Sequence, residues 1–522
     1  MGNNFCRPES GMFSSKPQKF FKEIDNENIV NEAKEKVKLN ITIKKAVSNL
    51  NYKVSFSRAH NQNSAYHKEA ETFELQAGDD STIIFPNFFV MDYFFERQQL
   101  ISFTVVINGV PNEIKTTLGN VMGSRQQTFV RELSSGECLE VKGQGITGND
   151  KQYAQFEVSA THKFYKNRIC FLIKNCGTQS NPVNIPVYKS EGLKGNDLKF
   201  APISIANNYL ISSKDFSDNM ICIEIYDIKT KEKIGTYTNS FASFIGRNIM
   251  IDQLKGGGQV TVNCKIITKY SFIDYLKGGI QIALTIGIDF TGSNGNPTDN
   301  MSYHYTGSSN LNSYEKAIKS CGDIVAYYDY DQLFPVYGYG AVPENCSRVE
   351  HCFPLNGKDD PNIHTIDEIL KVYRKKVTKM RFSGPTNFAP LIRELNNTVI
   401  EEKQKNNLVY NILMILTDGQ ISDMQDTIDE LVRASFEPIS VIIIGIGGGP
   451  FGNMDILDAD DAPLYDRNKR KAARDLVQFV PFNKFKNDGI KLAEQVLEEI
   501  PRQVCEYYEM IKMIPGDPIL GK

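Results

Sequence analysis

Three continuous apolar runs of strand length constrain the fold of this chain more than any other feature: "GGIQIALTIGID" at 278–289, "LVYNILMILTDG" at 408–419 and "PISVIIIGIGGG" at 438–449. A strand with one wet face alternates polar and apolar side chains, so a run without a polar phase has to be covered on both faces. The covers lie between the runs. "NSYEKAIKS", "IDEILKVYRKKV" and "FAPLIRELNNTVIEEK" carry apolar residues at helical spacing. Buried strands alternating with helices predict a doubly wound α/β domain with a parallel sheet over 275–511. A last helix is expected over roughly 487–511, which leaves 512–522 as a tail.

The pattern upstream is different. Residues 1–35 are polar and charged without a period, and read as a flexible leader. From Val37 come short alternating stretches, "VKLNITIKKA", "STIIFPNFFVMDYFF" and "QLISFTVVING", and after about 150 a second set, "QYAQFEVSA", "NRICFLIKN", "DNMICIEIYDI", "KIGTYTNSF" and "QVTVNCKIITK". These predict two antiparallel β-sandwiches, at 36–147 and 150–268, built as a duplicated module. Three domains suit 522 residues, since single cores stop growing near ~250–300.

A net charge of −3 gives no global pull toward nucleic acid. No window reaches the ~18 apolar residues of a membrane span and no secretory signal opens the chain, so a cytoplasmic protein is expected. The ten cysteines show no repeated CxxC pair, and spacings such as Cys170/Cys176 and Cys346/Cys352 are loose. Reduced, individually buried thiols are expected rather than a zinc site.

The chemistry gathers where the apolar runs end. In an open parallel sheet, ligands sit outside the carboxyl ends of the strands. Asp289 and Asp418 each follow such a strand, Thr291 and Ser293 come directly after Asp289, and Thr386 in "SGPTNFAP" precedes a predicted helix. Two carboxylates and three hydroxyls, with no His or Cys, suit a hard cation, Mg²⁺ or Mn²⁺. The bland alternative makes Thr386 a helix N-cap and leaves Thr291 and Ser293 to satisfy a turn. Asp289 is expected at a rim, where its substitution would spare the fold.

Asp-x-Thr-x-Ser at 289–293, Gly-Pro-Thr at 384–386 and Thr-Asp-Gly at 417–419 resemble the metal-ion-dependent adhesion site of a von Willebrand factor A domain. "DFTGSNGNP", "GPTNFAPLI", "LTDGQISDM", "ASFEPISVIIIGIG", "ARDLVQFVPF" and "EEIPRQVCEYY" are more closely similar to the copine version of that domain, which follows two C2 modules in copines. The likeness is dense over 270–510 and weak over 36–268. It implies a membrane-associated adaptor, not a catalyst, with Asp289, Thr291, Ser293, Thr386 and Asp418 holding the metal and a partner's acidic side chain completing it.

Enzyme readings fit less well. A phosphoryl-transfer Asp at 289 would want a second carboxylate at 291, where Thr stands. The histidines at 60, 67, 162, 304, 351 and 364 fall in no triad-like context, and His304 and His351 read as ordinary surface or half-buried residues. "GGGPFG" at 447–452 fits a dinucleotide pattern formally, but Pro450 and the acids Asp455, Asp458, Asp460 and Asp461 disfavour a pyrophosphate. No small-molecule substrate and no nucleic acid is expected.

The likeness breaks at the C2 calcium loops. The first module has no Asp or Glu from Lys36 through Lys68, and its late loop, "VVINGVPNEIK", offers only Glu113. The second has none from Val158 through Ser190 and keeps a residual loop acid, Asp227, with Lys229 where a second aspartate belongs. One carboxylate does not hold Ca²⁺ at cytosolic levels, so both modules are expected to be calcium-independent. The basic residues in those windows, among them Lys36, Lys38, Lys44, Lys45, Lys53, Arg58 and Lys68, would meet an anionic phospholipid surface such as the inner face of the plasma membrane if they share a face. Gly2 and Cys6 in "MGNNFC" are lipidation candidates. The competing reading is a scaffold component of a cytoskeletal or cortical assembly with a residual metal site.

Overall fold

The computed structural model describes residues 35–516 apart from 62–63, 79–80, 147–150, 162–166, 212, 214, 253, 256, 406–407 and 459–462. Gly2, Cys6, His162, Asp460 and Asp461 lie outside the described residues. The chain divides into two compact units: one contains 147–269, and the other joins Glu35–Ile146 to Tyr270–Lys522. Among the described residues, no helix is long and apolar enough to cross a membrane.

The 147–269 unit is an antiparallel sandwich. One sheet runs Asp197–Lys199, Gln152–Thr161, Gln259–Thr268, Asn248–Ile251, and the other Pro182–Lys189, Ile169–Thr178, Asn219–Asp227, Lys233–Ser240. Its core is the inward set of these strands, including Phe156, Val158, Phe171, Ile173, Ile221 and Ile223.

The sandwich of 35–146 repeats that strand order. Thr82–Asp92, Lys36–Lys44, Cys138–Gly145 and Thr128–Glu132 form one sheet; His67–Glu71, Asn51–Ala59, Leu100–Ile107 and Val110–Thr117 form the other. Strict alternation buries Val37, Leu39, Ile41 and Ile43 completely. Pro86, which cannot donate to a ladder, falls in an edge strand opposite a register shift between Asn40 and Thr42. The expected late loop is a two-residue turn: Ile107 pairs Val110 across Asn108-Gly109, both at positive φ.

The A-type domain holds five parallel strands in the order Leu333–Tyr339, Gln281–Asp289, Val409–Thr417, Ile439–Gly445, Val477–Pro481, with the short antiparallel pieces Phe353–Pro354 and Asn362–His364 beside the first. The uninterrupted apolar character of these strands is explained by their two faces. Ile412, Met414 and Leu416 enter one core with helices Ser313–Val325 and Ile366–Val377, while Leu413 and Ile415 enter the other with Ala389–Gln404 and Met424–Ala434. The latter helix layer packs so close that a Cβ at Gly287 would lie 2.2 Å from Leu391 Cδ2.

The expected helix over 487–511 is two helices, Gly489–Leu497 and Ile500–Met510, because Pro501 fits only the first turn of a helix and starts the second. Of the five parallel strands, two escaped the sequence reading. Leu333–Tyr339 carries Pro335 within it, and Val477–Pro481 is an edge strand of five residues.

The 35–146 sandwich and the A-type domain share one hydrophobic core cluster. The Tyr93 and Tyr328 hydroxyls bond at 2.7 Å, and Phe95 packs on Phe272 and Tyr328 with ring centroids 5.1 and 4.8 Å apart. Gln127 Nε2 donates to the Ile273 carbonyl at 3.4 Å. A Cβ at Gly123 would stand 1.9 Å from the Tyr327 carbonyl oxygen, so the backbones touch there.

Candidate metal centre

The strand Gln281–Asp289 delivers Asp289 to the carboxyl edge of the sheet, but the residue is fully buried, which corrects the expected rim position. Both of its carboxylate oxygens are held. Oδ1 accepts from the Thr291 amide at 2.8 Å and the Thr291 hydroxyl at 2.6 Å, and Oδ2 accepts from the Thr417 hydroxyl at 2.8 Å. From the neighbouring strand, Asp418 takes the Ser293 hydroxyl on Oδ1 at 2.8 Å, and the Thr291 and Ser293 hydroxyls lie 3.1 Å apart. A chain of hydroxyls therefore links the two carboxylates. Burial first, and then the charge of Asp418, push the Asp289 carboxyl up to about 6; burial also raises Asp418.

Thr386 shares a cavity lining with Ser293 and Asp418. The N-cap reading fails: the helix Ala389–Gln404 has Phe388 as its N-cap, and the amides of Phe388 and Ala389 donate to Asp423 at 3.1 and 2.9 Å. Ser293, Thr386 and Asp418 line a cavity of about 550 Å³, with Gly448, Gly449 and Pro450 as another wall. The "GGGP" stretch thus forms a side of this cavity, followed by a helix of only six residues, Gly452–Leu457. Of the five sequence candidates, three face the cavity and two, Asp289 and Thr291, sit behind it.

The donor set fits a hard divalent cation. It is all oxygen, it carries two carboxylates, and the hydroxyl protons of Thr291 and Ser293 are directed at carboxylates, which leaves hydroxyl lone pairs for a cation. Ser293, Thr386 and Asp418 would contact the ion; Asp289 would contribute charge through water. Among the described residues no three His, Cys, Asp or Glu gather as a metal site, so a zinc-type cluster is absent there.

Two residues at this site were not found from the sequence. Thr417 was quoted within "Thr-Asp-Gly" without a role. His304, expected at the surface or half-buried, is fully buried: Nε2 lies 2.7 Å from the Asp289 carbonyl oxygen and Nδ1 2.6 Å from the Tyr373 hydroxyl. Burial takes its pKa down to about 3, so the ring is neutral. Because a carbonyl only accepts, Nε2 carries the proton and Nδ1 accepts from Tyr373. His351 is half-buried, as expected.

The second sandwich's residual acid is hydrogen-bonded within its own turn. Asp227 is 1% exposed; its Oδ1 accepts from the Lys229 and Thr230 amides at 2.9 and 3.0 Å, and its Oδ2 from Asn167 Nδ2 at 2.9 Å. It closes a turn. In the first window, Lys36, Lys44, Lys53, Arg58 and Lys68 each pair with an acid. The described thiols are not all buried: Cys346 is exposed and Cys138, Cys176, Cys352 and Cys505 are partly so.

The fold and this oxygen-lined sheet edge define a von Willebrand A-type α/β domain preceded by two C2-like sandwiches. Residues 302–516 match the model of the copine family. Solved structures similar to parts of the chain include the calcium-bound tandem C2 domains of extended-synaptotagmin 2, with 6% identity, 45% of this chain and 96% of that one covered, and a TM-score of 0.21. The manganese-loaded TRAP protein of Plasmodium vivax matches with 14% identity over 43% of this chain and 73% of that one, with a TM-score of 0.26. Proximal thread matrix protein 1 from the mussel byssus, with a zinc-occupied MIDAS motif, matches with 16% identity over 41% and 45%, with a TM-score of 0.26.

Proposed function

We propose that this protein is a non-enzymatic adaptor whose A-type domain captures an acidic side chain of a partner through Mg²⁺ or Mn²⁺. The observation that carries the reading is that the Thr291 and Ser293 hydroxyls, 3.1 Å apart, donate one to Asp289 and one to Asp418 beside an open cavity lined by Ser293, Thr386 and Asp418. Two carboxylates neutralise a divalent ion and leave a position for one more oxygen ligand, which a partner's carboxylate fills.

Membrane association rests on the copine relationship of the A-type domain. The two sandwiches are proposed to act without calcium, since Asp227 is saturated by its own turn and the first module's late loop is a two-residue hairpin. Calorimetry on the chelator-stripped full chain tests the metal: wild type should take up one Mg²⁺ or Mn²⁺ and Asp418→Ala should not. No uptake by folded wild type would overturn the adaptor reading. Co-sedimentation with anionic liposomes tests the membrane part. Equal pelleting with and without Ca²⁺ is expected; calcium-stimulated pelleting would overturn the calcium-independent reading, and no pelleting would favour the scaffold role.

A further inference from the structure

The opposite edge of the A-type sheet holds a second cavity, of about 580 Å³, at the amino ends of the strands that begin at Gln281, Leu333 and Val409. Four carboxylates line it, Asp329, Asp331, Glu394 and Glu402, and among the described lining residues there is no Lys or Arg. Asp329 is 7% exposed. Its Oδ1 accepts from the Gln332 amide at 3.2 Å, whereas its buried Oδ2 has no hydrogen-bond donor. The Asp331 carboxyl is its neighbour, and burial first, then that neighbour, push Asp329 up to about 7. Glu402 is raised by burial too, with Asp331 adding to the effect.

An acceptor buried without a donor and beside a like charge is a cost that a bound cation removes. A single metal ion is not the cation that fits. Among the described residues no three carboxylates converge closely enough to hold one, so the ligand has to carry its positive charges apart. Tyr337, Leu395 and Leu408 supply apolar wall between the acids, against which the methylene stems of Lys or Arg pack while their heads reach the carboxylates.

We propose that this cleft docks a basic peptide segment of a protein partner, with one Arg or Lys set against Asp329 and Asp331 and further cations meeting Glu394 and Glu402. The site lies at the sheet edge opposite the metal centre and does not depend on it. A guanidinium is the better head group, because its fork can bridge two carboxylates where an ammonium is a point charge.

The test is fluorescence anisotropy with the full chain in EDTA, using a labelled peptide of alternating Arg and Ala as the probe. Wild type should bind it and should ignore the matching Glu-Ala peptide. The double variant Asp331→Asn/Glu394→Gln changes two exposed side chains and should bind about tenfold or more weakly. Asp367→Asn, an exposed acid elsewhere on the domain, should match wild type. Equal affinity in wild type and the double variant overturns the proposal, as does a wild type that does not bind. Spermine competing as tightly as the peptide would also overturn it, by showing a free polyamine to be the ligand.

Discussion

The Nε2–H of His304 donates to the backbone carbonyl of Asp289 at 2.7 Å, so a buried imidazole fixes the strand end from which the metal-site carboxylate projects. The ring is stacked on Tyr314 with centroids 4.0 Å apart and tied through Nδ1 to Tyr373. His304→Phe keeps a ring of similar size but leaves the Asp289 carbonyl and the Tyr373 hydroxyl short of a partner. The expected loss is ~2–4 kcal/mol of stability, read by urea denaturation. Mg²⁺ affinity should drop with it, because Asp289 is no longer held in place. An unchanged denaturation midpoint would refute this role.

Glu35 gives the junction between the first sandwich and the A-type domain a pH dependence. Its carboxyl accepts the Ile273 amide at 3.5 Å, and burial raises its pKa to about 7, against the bonds from Ser271 and Ile273. Between the ordinary value of 4.5 and about 7 the folded state binds more protons than the unfolded one, so stability falls as pH rises through that window and levels off above it. Glu35→Gln should remove this contribution to the slope, leaving those of Asp289, Asp329 and His304, and raise stability above neutral pH by ~2 kcal/mol. Denaturant midpoints measured from pH 4.5 to 8 check both signs. A variant whose midpoint follows the same pH slope as wild type contradicts the assignment.

Gly123 marks where that junction is tightest. An alanine there would put its Cβ 1.9 Å from a backbone oxygen of Tyr327, which cannot rotate away as a side chain could. Wild type should unfold residues 35–146 and 270–516 together. Gly123→Ala should cost ~3 kcal/mol or more, or separate the two into distinct transitions. Hydrogen exchange at the Tyr93 and Tyr328 segments reports which. Joint unfolding at an unchanged midpoint would show the two parts to be merely adjacent.

Much of this architecture was legible because its physics is local. Apolar runs such as Leu413–Ile415 are covered on both faces, and alternation such as Val37, Leu39, Ile41 marks a one-sided strand. The elements missed were those where local and tertiary preferences conflict. Pro335 hides a strand whose neighbours supply the pairing, and Pro501 divides what reads as one helix. At the site, carboxylates at strand ends were readable from the topology rule alone. His304 was not, since a lone histidine fifteen residues after Asp289 reveals nothing of its burial. The helix cap went to Asp423, thirty-five residues from Phe388, which freed Thr386 for the cavity. Asp227 was legible as a residual loop acid, but its hydrogen bonds were not.

That last residue separates a ligand from a turn former. Although burial opposes ionisation of Asp227, the bonds from Asn167, Thr230 and Lys229 hold its carboxyl below the usual range. All three partners sit around a side chain that is 1% exposed, so Asp227→Ala strands amide donors where water barely reaches. The second sandwich should lose ~1–3 kcal/mol, read as an earlier thermal transition of the 147–269 unit. A calcium ligand would behave otherwise: its removal would abolish a Ca²⁺-induced rise in that transition. The expected result is a wild-type transition that does not move with Ca²⁺ and a variant that melts earlier by the same amount with and without it. A Ca²⁺-dependent gap between the two proteins would return Asp227 to the coordination role.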